Sequence, residues 1–346
     1  MKSAHLDREL EDTLTERNIL EMPVETTIPL RRLGQTGIGV TAIGLGMMEF
    51  AGGRGGLMSL AFPPIPQEQK NATVRAGLEG GINWFDTAEL YGNGVSEASL
   101  SEALQAAGRH DGEVVVATKW WPLFRTAANI PRTIDQRIQY LDGYRIGLYM
   151  VHQPFGLSSR EAEMDAMADL VEAGKIQSVG VSNFSPRQMR RAHAALQRRG
   201  LPLAANQVEY SLLDRRIETS GILQTAQELG VTIIAYTPLA FGLLTGKYHK
   251  QPHLLKSKML YWRARLQRGV EKSRRLVAAL EQVGAAHNAT PAQVALNWLI
   301  HVHGETVVTI PGVTNASQAA ENAAAMNFRL TADQMARLDQ LSREFR

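Results

Sequence analysis

The chain has 346 residues, of which 44% are hydrophobic and 21% are charged, a composition typical of a soluble globular protein. It contains no cysteine, which excludes disulfides, thiolate metal sites and a cysteine nucleophile. A formal net charge of +3 is too small to indicate nucleic-acid binding, and no apolar run is long enough to cross a membrane. Because the amino terminus carries acids and no apolar signal core, the expected location is the cytoplasm.

The first part of the chain shows three short features. In residues 1–27, charged residues of both signs alternate and leucines recur at helical spacing. This pattern predicts a short, loosely attached helical extension, and residues 28–346 are predicted to form the main domain. Two extended pieces between Pro29 and Val40 predict a hairpin. The Gly, Met and Pro content of 53–66 predicts a mobile loop before a helix at 67–79.

Apolar runs and amphipathic helices then alternate along the chain. Strands are predicted at 41–46, 82–86, 114–119, 147–152, 176–181, 204–208, 231–236 and 307–310. Parallel strands cannot be joined by a tight turn, so this alternation predicts right-handed helical crossovers. The fold class is therefore α/β, a (β/α)8 TIM barrel with an N-terminal hairpin and extra helices.

The region 243–275 departs from this alternation. It predicts a long basic loop, followed by a helix at 271–287. Further helices are predicted to begin at Thr290-Pro291 and at Thr331.

Ionisable side chains stand at or just beyond the carboxyl ends of three predicted strands. Asp86 ends one strand and Tyr91 follows in its loop, while Lys119 and His152 end two others. Active sites of α/β barrels lie at this face. Taken singly, each residue also fits a structural role. Asp86 could be a helix cap and Tyr91 a surface aromatic. Lys119 could be a solvated strand end and His152 a core histidine. Their joint occurrence favours a catalytic site.

In this order, with Ser182-Asn183 and Gln207 following, these residues resemble the aldo-keto reductases. The resemblance runs from about Pro29 to the last helix. The segments 205–211 and 310–312 are most similar to the bacterial, plant plastid and potassium-channel β-subunit branches.

The four residues suit carbonyl reduction. A carbonyl that accepts hydride needs a nearby proton donor, and tyrosine, with a pKa of about 10, is too weak an acid unaided. We expect Lys119 to lower the pKa of Tyr91 and Asp86 to hold Lys119 charged and oriented. His152 is expected to act as a neutral hydrogen-bond donor to the carbonyl oxygen.

The nucleotide site is inferred from the resemblance, because no Gly-x-Gly-x-x-Gly motif follows a strand. Ser182, Asn183 and Gln207 would bind the nicotinamide carboxamide, and Tyr236 would stack on the ring. The loops after the last two strands would bind the phosphates, and residues beyond them the adenosine. The full cofactor set is Gly46, Met47, Asp86, Ser182, Asn183, Gln207, Tyr236, Thr237, Pro238, Leu239, Gly242, Lys247, Gly312, Thr314, Gln318, Glu321 and Asn322.

The sequence favours NADPH and leaves NADH possible. Many relatives place Lys or Arg where Thr314 stands, and that cation recognises the 2′-phosphate of NADPH. A basic run could substitute for it, although such a run is usually a solvated face; it contains Arg263, Arg265, Arg268 and Lys272.

The expected substrate is a small aldehyde or ketone, and no protein partner is indicated. Its pocket is predicted to be lined by Met48, Tyr91, Trp120, Trp121 and His152. Two histidine pairs, one at 249 and 253 and one at 301 and 303, lack a third nearby ligand, so no metal site is predicted. Two alternatives remain: a nicotinamide-binding, redox-sensing subunit with negligible turnover, and an isomerase or aldolase that uses Lys119 as a Schiff base.

Overall fold

The computed structural model describes residues 28–53, 63–257 and 260–346. The predicted helix within 1–27 and most of the predicted loop at 53–66 lie outside the described residues. No helix in the described part is long and apolar enough to cross a membrane.

The predicted hairpin is present at the start of the described chain. Strand β1 (Leu30–Arg32) pairs antiparallel with β2 (Gly39–Thr41). Gly34 in its turn has a φ of 59°, and a Cβ there would lie 2.5 Å from the carbonyl oxygen of Ala204. The turn therefore packs backbone to backbone against the barrel and requires glycine.

Eight parallel strands form one sheet whose neighbours follow chain order. They are β3 (Leu45–Gly46), β4 (Trp84–Asp86), β5 (Val115–Trp120), β6 (Ile146–Val151), β7 (Val179–Ser182), β8 (Leu203–Glu209), β9 (Thr232–Tyr236) and β10 (Val307–Ile310). Parallel bridges from Ile43 to Thr309 and from Gly46 to Gly312 join the first strand to the last. The sheet thus closes into the predicted (β/α)8 barrel.

The first barrel strand is shorter than predicted. Of the predicted 41–46, Thr41 belongs to the hairpin and only Leu45–Gly46 is strand. The chain bends between them, where Gly44 passes so close to the ring of Trp84 that a Cβ would lie 2.3 Å from it.

Helices surround the barrel. In the described residues they are α1 (Gln67–Glu79), α2 (Val95–Ala106), α3 (Asn129–Leu141), α4 (Arg160–Glu172), α5 (Pro186–Gln197), α6 (Ile222–Leu229), α7 (Lys247–Lys250), α8 (Leu260–His287), α9 (Pro291–His301), α10 (Ala316–Ala324) and α11 (Ala332–Ser342). One core, including Trp84, Met150 and Ile234, fills the barrel. A second and larger core lies between the strands and the helices.

Helix α8 begins earlier than predicted. The sequence predicted a helix at 271–287 after a long basic loop, whereas the helix spans Leu260–His287. Its added turns bury Leu266 and Val270 in a small cluster with Leu243, so tertiary packing makes helix out of a segment whose charges suggested a loop.

A buried ion cluster ties the end of the chain to the barrel. The guanidinium of Arg215, which follows β8, lies 2.8 Å from Glu218 and 2.6 Å from Asp339 of α11. It also donates to Ser342 Oγ at 2.7 Å, and the Arg215 amide donates to the Phe345 carbonyl at 2.7 Å. Every charge in this cluster is thus paired or hydrogen-bonded.

We predict that Arg215→Ala lowers the free energy of unfolding by about 3–5 kcal/mol, because it removes the fully buried cation of the cluster and leaves Glu218 and Asp339 with the more exposed Arg346 and Arg343. The neighbouring Arg216, which is exposed and paired with Asp214, provides the control, and Arg216→Ala should change that free energy by less than about 1 kcal/mol. Chemical denaturation measures both. Equal losses in the two variants would contradict the assignment of the cluster.

Candidate active site

A lysine–aspartate pair lies at the top of the barrel. Lys119 Nζ on β5 is 2.5 Å from Asp86 Oδ1 on the neighbouring β4, and it donates to the Thr87 carbonyl at 2.9 Å. Gln207 Nε2 on β8 donates to the other carboxylate oxygen of Asp86 at 2.9 Å. All these side chains are buried. Because both charges keep hydrogen-bond partners, the pair persists inside the protein.

Burial acts on both members of this pair. Removal from water raises the pKa of Asp86 and lowers the pKa of Lys119, and the attraction between the two charges opposes each shift. With a contact of 2.5 Å and the bonds to Thr87 and Gln207, the ionic form holds the lysine in one position.

Tyr91 and His152 lie above the pair. Lys119 Nζ is 5.0 Å from the centroid of the Tyr91 ring, which meets the His152 ring edge-to-face at 5.7 Å. Burial, and then the charge of Lys119, lowers the pKa of His152 well below its usual value. The imidazole is therefore neutral at physiological pH, and its Nδ1 is buried without a hydrogen-bond partner. The structure thus brings together all four residues predicted to be catalytic.

The pKa of Tyr91 shifts in the direction opposite to the one predicted. Burial raises it well above its usual value, and the charges of Asp86 and Glu49 raise it further. The cost of burying a phenolate, together with the repulsion from these two carboxylates, outweighs the attraction of Lys119. Tyr91 is consequently a protonated phenol.

Glu49 is a site residue that the sequence reasoning missed. It lies in a 3₁₀ turn (Met48–Ala51) directly after β3, and its Oε2 is buried without a partner. Its carboxylate packs on Gly312, where a Cβ would be 2.6 Å from Oε1. Burial raises the pKa of Glu49 to about 7. An acid just beyond the end of a strand was the signal that could have revealed it.

The side chains predicted to bind nicotinamide lie together at the ends of β7, β8 and β9. Ser182 Oγ donates to the Gln207 carbonyl at 3.0 Å, and Asn183 Nδ2 donates to Ser182 Oγ at 3.1 Å. Tyr236 donates its hydroxyl proton to Asn183 Oδ1 at 3.1 Å. Asn183 itself has a φ of 60°. These bonds leave a polar cluster beside the buried pair.

Four residues in the loop after β9 have a left-handed backbone, and three of them are consecutive. They are Thr237, Ala240, Phe241 and Gly242, three of which carry side chains that disfavour this conformation. The side chain of Lys247 packs on Gly242, where a Cβ would lie 2.9 Å from its Nζ. Strain of this kind concentrates at binding sites, and it brings backbone and an ammonium together in the loop predicted to bind phosphate.

The residues predicted to bind adenosine are held by internal hydrogen bonds. Gln318 Oε1 accepts from the amide of Thr314 at 2.8 Å and from its hydroxyl at 3.1 Å. Glu321 Oε1 accepts from the hydroxyl of Thr290 at 2.6 Å, and Asn322 is buried.

Two members of the basic run line a cavity beside the loop that follows β9. Arg268 and Lys272 line a cavity of about 520 Å³, together with Asp214 and Phe241. Thr314 is not among its lining residues in the described chain.

The residues predicted to line the substrate pocket divide into two groups. The ring of Trp121 meets the His152 ring edge-to-face at 5.3 Å, and Met48 is half-buried. Trp120 is fully buried in the outer core, because strand alternation turns it away from the side that Lys119 occupies.

Three of the four histidines in the two pairs have ordinary structural partners. His249 bonds Ser273 Oγ, His301 bonds the Asn297 carbonyl and His303 bonds Tyr210. Within residues 28–53, 63–257 and 260–346, no group of three or more metal-ligating side chains comes together.

Comparison with known proteins agrees with this geometry. The sequence model of the family described as "Aldo/keto reductase family" matches residues 42–343 of this chain. This chain belongs to the aldo-keto reductase family. An uncharacterized oxidoreductase of Mycobacterium tuberculosis is 36% identical over 323 residues, which cover 92% of this reductase and 94% of the relative.

Solved structures show the same fold. A thermostable aldo-keto reductase in complex with the inhibitor epalrestat has a TM-score of 0.72 and 28% identity, covering 90% of this chain and 99% of that one. An aldo-keto reductase from Klebsiella pneumoniae in complex with NADPH has a TM-score of 0.68 and 26% identity. The match covers 91% of this chain and 95% of that one.

We predict a pH-dependent stability that depends on Glu49. Its pKa rises from 4.5 to about 7 on folding, so the folded chain holds the proton more tightly. This stability is present below the unfolded pKa and is lost as pH rises through the folded pKa. At about 1.4 kcal/mol per pKa unit, the loss amounts to at most about 3.5 kcal/mol.

Chemical denaturation of the wild type and Glu49→Gln at pH 5 and pH 8 measures this effect. The wild type should lose stability relative to the variant at the higher pH, whereas the exposed Glu102→Gln should follow the wild type. A constant difference between wild type and Glu49→Gln would show that Glu49 titrates normally.

Proposed function

We propose that this aldo-keto reductase reduces aldehydes or ketones to alcohols by direct hydride transfer, with Tyr91 as the proton donor. The observation that supports this most is the buried Lys119–Asp86 pair beneath a protonated Tyr91, with a neutral His152 beside it. This is the arrangement of a proton donor kept in its acid form next to a hydrogen-bond donor for the carbonyl.

Each residue has a part in the proposed reaction. A bound nicotinamide would supply the hydride. The neutral His152 would donate a hydrogen bond to the carbonyl oxygen, and Tyr91 would give its proton to that oxygen as negative charge develops. Lys119, 5.0 Å from the Tyr91 ring, would then stabilise the phenolate, while Asp86 keeps Lys119 in place.

The proposed cofactor is NADPH. The Klebsiella relative binds it, and the polar cluster at Ser182 and Asn183 and the strained loop after β9 suit the nicotinamide and phosphate ends. Thr314 can donate a hydrogen bond to a 2′-phosphate, but it cannot neutralise its charge. A moderate preference over NADH is therefore proposed, in an enzyme of the cytoplasm.

We predict that Tyr91→Phe lowers kcat/KM for carbonyl reduction by about a hundredfold or more, because general acid catalysis contributes about 10²–10⁴. The dissociation constant for NADPH should stay nearly unchanged. Lys119→Met should act likewise, with its fold checked by circular dichroism. The matched control is Tyr140→Phe on α3, the same chemical change outside the site. Nicotinamide absorbance with aromatic and aliphatic aldehydes measures turnover.

Two results would refute this assignment. Near wild-type turnover in Tyr91→Phe would show that another group donates the proton. Tight NADPH binding with no oxidation by any carbonyl would instead indicate a redox-sensing subunit without catalytic activity.

Cofactor preference gives a further prediction. A charge-assisted contact to the 2′-phosphate contributes on the order of 1.5–3 kcal/mol, or roughly ten- to a hundredfold in affinity. Thr314→Arg should therefore tighten NADPH binding by roughly tenfold or more, with little change for NADH, and Thr314→Ser is the control. Because salt screens such contacts, the gain should shrink at high salt.

Titration of both nucleotides at low and high salt measures these constants. If the wild type binds NADPH and NADH equally at low salt, the assignment of NADPH fails, and an enzyme indifferent to the 2′-phosphate remains.

A further inference from the structure

The turn that carries Glu49 and the loop that carries Gly312 lie side by side at the top of the barrel. A parallel bridge between Gly46 and Gly312 joins the end of β3 to the chain after β10, and the Gly46 amide donates to the Pro311 carbonyl at 3.1 Å. A Cβ at Gly46 would lie 3.1 Å from the Ile310 carbonyl oxygen, so glycine allows the two segments to approach closely. The turn after β3 is therefore held against one of the loops predicted to bind phosphate.

The carboxyl group of Glu49 occupies the space beside Gly312. A Cβ at Gly312 would lie 2.6 Å from Glu49 Oε1 and 3.0 Å from Oε2. The Oε2 atom is buried without a hydrogen-bond partner, and no lysine or arginine in the part of the chain that the structure describes forms an ion pair with Glu49. The ammonium of Lys70 donates instead to the Phe50 carbonyl at 2.8 Å and to Ser99 Oγ at 2.7 Å. An ionised Glu49 is therefore a negative charge that no cation of the described chain neutralises.

The catalytic candidates near this turn keep one charge state around neutral pH. Burial keeps Tyr91 protonated and His152 neutral, and Asp86 and Lys119 form the buried ion pair. Glu49 differs from them, because burial raises its pKa to about 7 and its own backbone amide opposes this shift only in part. A change of pH across neutrality therefore alters the charge beside the loop after β10.

A second buried acid lies on α2, which packs against the same turn. Burial raises the pKa of Glu97 to about 7, although Arg137 and Thr118 donate to its carboxyl oxygens at 2.7 and 2.6 Å. Because side chains alternate across a strand, Thr118 and Glu97 lie on the opposite side of β5 from the Lys119 ammonium. The ionised form of Glu97 is thus paired with a cation, whereas that of Glu49 is not.

Phosphate binding and ionisation of Glu49 oppose each other at this place. The loop after β10 leads into α10, and the first turn of a helix attracts anions through its free amides and its dipole. An ionised carboxyl packed on the same loop repels an anion. A protonated carboxyl carries no charge and can donate a hydrogen bond. Binding of a phosphate and binding of a proton to Glu49 therefore favour each other.

We propose that the nicotinamide cofactor binds to the form of this protein in which Glu49 is protonated, so that binding above neutral pH takes up a proton at this carboxyl. The inference rests on the proposed reductase function, which requires the cofactor. By linkage, an anion that prefers the protonated form has a dissociation constant that stays low at acidic pH and rises as Glu49 ionises. Glu49 thus makes cofactor affinity depend on pH independently of the four catalytic candidates.

Titration of NADPH into the protein between pH 6.5 and pH 8.5, followed by tryptophan fluorescence, tests this linkage. The dissociation constant of the wild type should rise by roughly tenfold over the range, since one coupled acid changes it by at most about tenfold per pH unit. Glu49→Gln replaces the acid by a neutral amide that can still donate a hydrogen bond. The variant should therefore keep the low-pH affinity throughout and bind NADPH roughly tenfold more tightly than the wild type at pH 8.5.

Two controls isolate the carboxyl. The 2′-phosphate of NADPH titrates at about pH 6 itself, so NADH, which lacks this group, should show the same ratio between wild type and variant. Glu163→Gln is the matched variant, because burial also raises the pKa of Glu163 to about 7 but this residue lies on α4, which packs against α3 and α5. Glu163→Gln should keep the pH dependence of the wild type.

Calorimetry counts the proton directly. The heat of NADPH binding is measured at pH 7.5 in two buffers that differ in their enthalpy of ionisation, which gives the number of protons taken up. The wild type should take up about half a proton more than Glu49→Gln, because an acid with a pKa of about 7 is mostly ionised at this pH before the cofactor binds. The comparison with the variant removes the contribution of the nucleotide itself.

Three results would count against the inference. An equal pH dependence in wild type and Glu49→Gln, or equal proton uptake, would overturn it while cofactor binding itself stands. Weaker binding by Glu49→Gln at every pH would also overturn it, because the ionised carboxyl would then be a contact of the cofactor. If the wild type binds neither nucleotide even at pH 6.5, the proposed function fails and the inference fails with it.

Discussion

The candidate active site depends on one ammonium and one carboxylate that are buried together. Lys119 and Asp86 can stay ionic inside the barrel because Thr87 and Gln207 satisfy their remaining hydrogen-bonding capacity. Thr87 directly follows Asp86, whereas Gln207 comes from β8 across the ring, so the full set of partners is assembled only when the barrel is closed. Tyr91 and His152 take their protonation states from that pair and from their own burial, so fold and chemistry are coupled through one contact of 2.5 Å.

Much of this arrangement could be predicted from the sequence because parallel strands share an edge. Asp86, Lys119 and His152 each end an apolar run or lie one position beyond it, and the strand ends of a closed barrel converge. The alternation of side chains along a strand also allows predictions from the sequence. Since side chains alternate across a strand, Trp120 could have been assigned to the outer core and Trp121 to the site from their positions relative to Lys119.

Other features depend on distances that a sequence does not contain. The pKa of Tyr91 is set by its burial and by the charges of Asp86 and of Glu49, which approaches from a separate turn. The extent of α8 is set by Leu266 and Val270 meeting a distant cluster, and the basic residues around them gave no sign of this. In both cases the deciding partners lie far apart in sequence.

The ion cluster around Arg215 also bears on how the chain is made. Asp339 follows Arg215 by 124 residues, so at ribosomal rates of about 5–20 residues per second the guanidinium waits on the order of ten seconds for this partner. During that interval Glu218 is its nearby counter-ion, and the segment after β8 cannot settle into its final form. The contact between this segment and α11 can therefore form only after the last barrel strand, β10, has been synthesised.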